Sequence, residues 1–256
     1  MFKEKLGADG SVERHKARLA AQGYAQLHGM DYDETFSPVA RSESVHILIA
    51  MAAANNMLLH QLDIVTAFLN GTLQEEVYMK QPEGFVEKGK EHLVCRLKKS
   101  MYGLKQSLRC WNMALHDHLT KIGFSQSVND PCIYISEDFS VYLVVYVDDI
   151  IVATKSEQRM KEVKQTIAQK FTMKDLGELK YFLGVTIDQK TKPDSIWIGQ
   201  PAYTKRILKK FNMSEAKPVA TPVDTSVKLT KSDDDDEAVD QELYQSPVGS
   251  LLYLST

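Results

Sequence analysis

Cysteine is scarce in this chain of 256 residues: Cys95, Cys110 and Cys132 are odd in number and widely spaced. That argues against a disulfide scaffold and a CxxC-type zinc site, and points to a reducing, intracellular setting. Long apolar runs are missing too. None approaches the roughly 18 residues that a membrane span needs, so no membrane partner is expected. The opening Met1-Phe2-Lys3-Glu4-Lys5 lacks the apolar stretch of a signal peptide. There is no internal repeat. What remains is ordinary for a globular protein, with 43% hydrophobic and 25% charged residues, which excludes bulk disorder and a fibrous assembly. The length allows one or two domains and a sizeable core.

The formal net charge is only -3, but it is unevenly spread. From Asp233 onward there are seven acidic residues and no Lys or Arg. Taking those seven from 34 leaves 27 acids against 31 bases in residues 1–232, a balance of +4. A mildly basic body permits a polyanionic partner without demanding one. Residues 213–243, rich in Pro, Thr and Lys and then in Asp, are expected to form a flexible linker. The acidic run 233–237 lacks the alternating ligands and central Gly of an EF-hand loop, and fits a solvated charge run.

Apolar residues repeat at helical spacing in four places. Val45, Leu48, Ile49 and Ala52 do so behind Ser42 or Ser44 as a cap. Trp111, Leu115, His118, Leu119 and Ile122 form a second set, and Met160, Val163 and Ile167 a third behind Ser156. Tyr203, Ile207, Leu208 and Phe211 form a fourth, with Lys205, Arg206, Lys209 and Lys210 on the other face. Strand-like runs are 60–65, 92–97, 141–147, 150–153, 181–187 and 195–198. The elements mix without a regular βαβ alternation, which predicts an α+β fold.

The most informative segment is Val141-Tyr-Leu-Val-Val-Tyr146-Val147-Asp148-Asp149-Ile-Ile-Val-Ala153. Two adjacent carboxylates interrupt an apolar run, which places them at the turn between two buried strands. An ordinary polar hairpin is one reading. However, the turn has no Gly or Asn, and two carboxylates at a buried tip repel each other unless a cation sits between them. Such hard oxygen ligands suit Mg²⁺. In Gln61-Leu62-Asp63-Ile64-Val65-Thr66-Ala67-Phe68 a third aspartate lies within an apolar strand. Alone, Asp63 fits a strand-end cap. Together the three acids fit a site for two Mg²⁺ ions, suited to in-line attack of an oxygen on a phosphate.

A third segment runs from Leu97 to Trp111 and combines three lysines, Arg109, Gly103 and aromatics ahead of a helix. It fits a phosphate-binding helix N-terminus or a basic solvated loop equally well. Gly84-Phe-Val-Glu-Lys-Gly89-Lys90 has the spacing of a phosphate-binding P-loop. Glu91 stands where a Ser or Thr must hold Mg²⁺, and Pro82 where the preceding strand should run, so the match is fortuitous. Asp224-Thr225-Ser226 is not an aspartic-protease signature, because the expected Gly is replaced. His116 and His118 lack the i, i+4 spacing of a helical zinc pair.

Tyr146-Val147-Asp148-Asp149 resembles the reverse transcriptase of copia-type LTR retrotransposons. Five further blocks agree in order: Arg14-His-Lys16-Ala-Arg18-Leu19, Asp33-Glu-Thr35-Phe36-Ser37-Pro38-Val39-Ala40, residues 63–71, residues 102–111, and Met173-Lys174-Asp175-Leu176-Gly177-Glu178-Leu179 leading to Tyr181-Phe-Leu183-Gly184. The resemblance covers nearly the whole chain. It implies a right-hand polymerase with palm, fingers and thumb that copies RNA or DNA into DNA. Its partners are a template with a primer, deoxynucleoside triphosphates and other segments of a Pol polyprotein. The domain pattern implied is 1–212 for fingers, palm and the start of the thumb, 213–243 for the linker, and 244–256 for a connection towards a ribonuclease H domain. The setting implied is cytoplasmic and particle-associated, or nuclear.

Carried over residue by residue, Asp63, Asp148 and Asp149 are the catalytic acids and hold two Mg²⁺ ions, or Mn²⁺ in their place. Thr66, Ala67, Phe68, Lys16, Arg18, Tyr102 and Gly103 are implied at the nucleotide, with Phe68 against the sugar. Lys105, Gln106, Arg109, Tyr146, Leu183 and Gly184 are implied at template and primer, and Lys174 as a proton donor to pyrophosphate.

Two departures stand out. Leu108 stands where the family usually has Pro, which is expected to loosen the template-side loop. The chain also opens within the fingers, which fits a piece of a longer polyprotein or a truncated copy. The alternative function is therefore a catalytically silent remnant that at most binds nucleic acid. A generic two-metal nuclease or phosphatase gives no role to Phe68 or to residues 102–109.

Overall fold

A computed structural model describes residues 2–6, 12–192, 195–221, 226 and 240–255. Most of the expected linker, including the acidic run 233–237 and Asp224-Thr225, lies outside the described residues. The chain divides into two compact units, Met1–Leu179 and Lys180–Thr256.

The first unit is built on a six-stranded antiparallel sheet. Its strands are β3 (Leu58–Ile64), β6 (Phe124–Gln126), β7 (Ile133–Ser136), β8 (Val141–Tyr146), β9 (Asp149–Thr154) and β10 (Met173–Glu178), in the order β10-β3-β9-β8-β7-β6. Two hairpins accompany it, β1 (Phe2–Leu6) with β2 (Val12–Ala17), and β4 (Tyr78–Lys80) with β5 (Val94–Arg96). Strand periodicity sorts the residues of the sheet onto two faces. Leu62 and Ile64 of β3, Val141, Leu143 and Val145 of β8, and Ile150 and Val152 of β9 point one way. They form the main core with Trp111, Leu115 and Leu119 of α2 (Ser107–Lys121) and Met160, Val163 and Ile167 of α3 (Glu157–Lys170). Leu59, Val144, Ile151 and Ala153 occupy the other face and are also fully buried. The helix α1 (Ser42–Ala54) lies against β3, β8 and β9 and buries Val45, Leu48, Ile49 and Ala52.

The second unit contains β11 (Tyr181–Phe182), β12 (Val185–Lys192) and β13 (Ser195–Gly199) in one antiparallel sheet, followed by α4 (Pro201–Lys210) and α5 (Gln241–Ser255). The two helices meet through Tyr203 and Tyr253, whose ring centroids are 4.7 Å apart. The Lys210 ammonium also donates to Ser246 Oγ at 2.6 Å.

The mixed α and β composition with a large antiparallel sheet agrees with the expected class, and all four helices fall where the spacing places them. Ser156 caps α3 as expected, its hydroxyl accepting from the Arg159 amide at 3.2 Å. The cap of α1 differs. Arg41 holds that position without a side-chain bond, Ser42 is already helical, and the Ser44 hydroxyl donates to Asp130. Residues 181–187 form two strands rather than one, because Leu183 and Gly184 both have positive φ, 49° and 91°, and turn the chain. The P-loop-like stretch is an exposed loop in which Gly84 and Gly89 make left-handed turns, and no helix follows before β5.

Candidate active site

The sheet aligns four polar residues in one row. In register, Lys174 of β10 faces Asp63 of β3, Asp63 faces Asp149 of β9, and Asp149 faces Tyr146 of β8. Directly opposed residues share a face of the sheet, so the row continues the α1 side, beyond the apolar part. Lys174 is exposed; the other three are half-buried.

Only one aspartate sits in the turn. Val147 and Asp148 make the two-residue loop, whereas Asp149 is the first residue of β9. This corrects the expectation that both acids lie at the tip. It leaves Asp148 exposed and puts Asp149 inside the ladder beside Asp63. The turn is strained, since Val147 is β-branched and has φ of 56°, a conformation costing about 1–3 kcal/mol. Two hydrogen bonds hold it. The indole of the fully buried Trp111 donates to the Val147 carbonyl at 2.6 Å, and the Ile64 amide donates to the Asp148 carbonyl at 2.7 Å. Burial pushes the Asp149 carboxyl above the usual carboxylate range. The Gln61 side chain opposes this, donating from Nε2 to Asp149 Oδ1 at 2.9 Å, while the charges of Asp148 and Asp63 add to the rise.

Among the described residues no group of three or more His, Cys, Asp or Glu side chains is placed to hold a metal ion by itself. The donor set nevertheless fits Mg²⁺, which binds through one or two carboxylates and completes its shell with water and substrate phosphates. Repulsion within this group of acids is the physical reason to accept a cation.

Beyond β3 the chain turns at Thr66, which is left-handed with φ of 54°, into a single 3₁₀ turn that buries Ala67. Phe68 packs on the edge of the core, and its ring centroid lies 5.9 Å from that of Tyr102. The Arg18 guanidinium sits 5.5 Å above the Tyr102 ring. Three of the expected nucleotide-site residues thus stack on one another. Gly103 lets the turn after Tyr102 close on the Ala21 backbone, whose amide donates to the Tyr102 carbonyl at 2.8 Å. It has φ of 98°, and a Cβ there would stand 2.2 Å from the Ala21 carbonyl oxygen. Lys16 faces Lys3 across the first hairpin, and its side chain lies outside what is described.

The remaining expected contacts diverge. Lys105 is exposed; its ammonium donates to the Gln26 carbonyl and the Tyr32 hydroxyl, both at 3.2 Å, and lies over the Tyr32 ring. Gln106 is buried. Its amide donates to the Asp31 carbonyl at 2.8 Å and accepts from Gln26 at 3.0 Å, so it braces the loop from within. Arg109 is half-buried and donates to the Phe36 carbonyl at 3.4 Å, beside a pocket of about 160 Å³ shared with Asp33, Glu34 and Glu75. Leu183 and Gly184 form the β11–β12 turn of the second unit. The segment before Leu108 is held by side-chain hydrogen bonds. Gln106, Ser107 and the Gly103 turn fix it, and Leu108 packs against the main core.

Sequence reasoning missed Gln61 and Trp111. A signal existed for each. A polar residue two before Asp63 shares its face, and a buried indole N–H demands an acceptor.

The large antiparallel sheet with helices packed on it, carrying carboxylates side by side at a strained hairpin, is compatible with a polymerase domain of the reverse transcriptase class. The chain belongs to the reverse transcriptase (RNA-dependent DNA polymerase) family, matching it over residues 1–225, in its copia-type retrotransposon branch. It is 42% identical over its whole length to a retrovirus-related Pol polyprotein from transposon RE2 of Arabidopsis thaliana, of which it spans 17%. It is 39% identical over 99% of its length to the corresponding polyprotein from transposon TNT 1-94 of Nicotiana tabacum, spanning 20% of it. A putative transposon Ty5-1 protein of Saccharomyces cerevisiae is 36% identical over 75% of the chain, which spans 62% of that protein. The chain therefore spans less than two thirds of each of these relatives.

Proposed function

We propose that this chain is the polymerase segment of a retrotransposon Pol polyprotein and extends a primer on an RNA or DNA template. One observation carries the reading: Asp63 and Asp149 are direct cross-strand partners, with Asp148 in the adjoining turn. The six-stranded sheet with α2 and α3 is the palm, the β1–β2 hairpin belongs to the fingers, and the thumb begins within the second unit. A connection follows the 213–243 linker.

In the reaction the primer 3′-oxygen attacks the α-phosphate of a deoxynucleoside triphosphate. A P–O bond forms, the bond to the β-phosphate breaks, and pyrophosphate leaves with its electron pair. Two Mg²⁺ ions, or Mn²⁺ in their place, would when bound supply acidification of the 3′-hydroxyl and charge neutralisation on the phosphates. Asp63, Asp148 and Asp149 are the residues that would hold them. The Phe68 ring, braced by Tyr102, Thr66 and Ala67, lies against the sugar and leaves no room for a 2′-hydroxyl. Arg18 and Lys16 neutralise the triphosphate. Gly103 gives the nucleotide loop its close approach, Lys105 and Arg109 meet the template, and Gln106 braces their loop. Tyr146 and the Leu183-Gly184 turn support the primer. Lys174, across from Asp63, can deliver a proton to the leaving pyrophosphate. The work of the protein is positioning and charge. The expected setting is the cytoplasm, in association with a particle, or the nucleus.

The test is primer extension on an RNA template with Mg²⁺, using the chain and its Asp148→Asn variant. The variant is expected to lose about three orders of magnitude in rate or more while primer–template affinity stays within about twofold, because Asp148 is exposed and supports no packing. Extension by the variant at the wild-type rate would refute the assignment. A folded wild type that binds template without extending it would point to the silent remnant or to a need for further segments of the polyprotein, and adding the upstream segment would decide between them.

A further inference from the structure

Gln61 occupies a position that ordinary sheet packing does not explain. It lies on β3 two residues before Asp63 and pairs in register with Ile151, not with Asp149. Its side chain reaches along the sheet to the diagonal neighbour, where Nε2 donates to Asp149 Oδ1 at 2.9 Å. Diagonal neighbours are about 7–8 Å apart between Cα atoms, a gap that a long side chain spans and a short one does not. The chemistry of the donor matters as much as its reach. A Lys or Arg here would neutralise Asp149 and compete with a cation for it. A neutral amide stabilises the ionised carboxylate, leaves its charge intact and engages only Oδ1.

We infer that Gln61 is a positioning residue for cation binding, fixing the Asp149 carboxylate in one orientation with Oδ2 available to a divalent metal ion. The inference rests on the polymerase reading. Gln61 touches no substrate in it; it acts through Asp149, as hydrogen-bonding partners of metal ligands commonly do. Loss of such a partner typically lowers metal affinity by about 10–100-fold. The packing role of the residue is small by comparison, since Gln61 is only half-buried and the main core lies on the opposite face of β3.

The experiment measures Mn²⁺ binding by the electron paramagnetic resonance signal of free Mn²⁺. The full chain is held with an RNA template, a dideoxy-terminated primer and the next deoxynucleotide. Four proteins are compared: wild type, Asp63→Asn, Gln61→Met and Gln61→Ala. Methionine keeps the length and flexibility of the side chain without a donor, and alanine serves if methionine perturbs folding. Either Gln61 variant is expected to bind Mn²⁺ about tenfold more weakly while remaining cooperatively folded in the absence of metal. Its half-saturating Mg²⁺ in primer extension should rise while primer–template affinity stays the same. A folded Gln61 variant with wild-type Mn²⁺ affinity overturns the inference and leaves the polymerase reading standing. Wild-type Mn²⁺ binding that is absent, or equal in Asp63→Asn, overturns both.

Discussion

At Asp149 burial works against ionisation and the nearby charges of Asp148 and Asp63 add to it, with the Gln61 amide opposing them in part. The carboxyl is held above its ordinary value, so its stabilising contribution is full below the unfolded-state value near 3.8 and is lost as pH rises through the folded-state value. At pH 7 without metal the ionised group is therefore a net cost. Asp149→Asn keeps an oxygen for Gln61 and removes the charge. Its unfolding temperature at pH 7 in the presence of a chelator should exceed that of the wild type, and the gap should shrink towards pH 4. Thermal unfolding at the two pH values checks this, and an equal or lower value at pH 7 would contradict it. Phe68 poses a steric question. Phe68→Ala opens the space at C2′, so ribonucleotide incorporation relative to deoxyribonucleotide should rise by about tenfold, equivalent to roughly 1.4 kcal/mol. Competition between the two nucleotides measures the ratio and is insensitive to any loss of active protein. An unchanged ratio would remove Phe68 from the sugar pocket.

The helix α2 shows how much one element can absorb. Leu108 is its second residue, where a free backbone N–H has no intrahelical partner in any case. Leu108→Pro, which restores the residue usual in the family, should leave the helix intact and cost only the partial burial of Leu108. Urea unfolding is expected to shift by less than about 1.5 kcal/mol, and primer–template affinity should not tighten, because Gln106 and Gly103 already fix the loop. The elements that were legible in the sequence share a property with α2: their apolar spacing states which face is buried. The runs around Asp63 and Asp148-Asp149 therefore became β3, β8 and β9, with Asp63 and Asp149 paired across strands. Residues 173–178 gave no such signal. None of them is buried and they show no apolar alternation, and they become β10 by pairing along one edge of β3. α5 was hidden in a similar way, with Pro247 in its interior and no buried residue. Gln61 and the Val147 carbonyl escaped for a different reason. Local spacing puts Gln61 on the face of Asp63, but the partners themselves are set by strand register and by a helix packed from behind.

The molecule as a whole carries charge of opposite sign in its two parts, and that sets how it should meet a polyanion. Residues 1–232 have a balance of +4 and the remainder has seven acids with no base. Binding of primer–template releases condensed counterions. The logarithm of affinity should then fall linearly with the logarithm of salt, with a slope of roughly -0.7 to -0.9 for each phosphate neutralised. The acids of 233–237 make no phosphate contact in this picture; they oppose the approach of nucleic acid at long range. Replacing all five by Asn or Gln should raise affinity at low salt and leave the slope unchanged. The gain should vanish near 0.15 M or above, where the Debye length is about 8 Å. Fluorescence anisotropy with a labelled primer–template across a salt series distinguishes the two effects. A slope that changes with the substitution would mean that the acidic run competes directly for the phosphate-binding cleft, as an internal mimic of the nucleic acid. A flat salt response in both proteins would remove Arg18, Lys105 and Arg109 from the nucleic-acid contacts proposed for them.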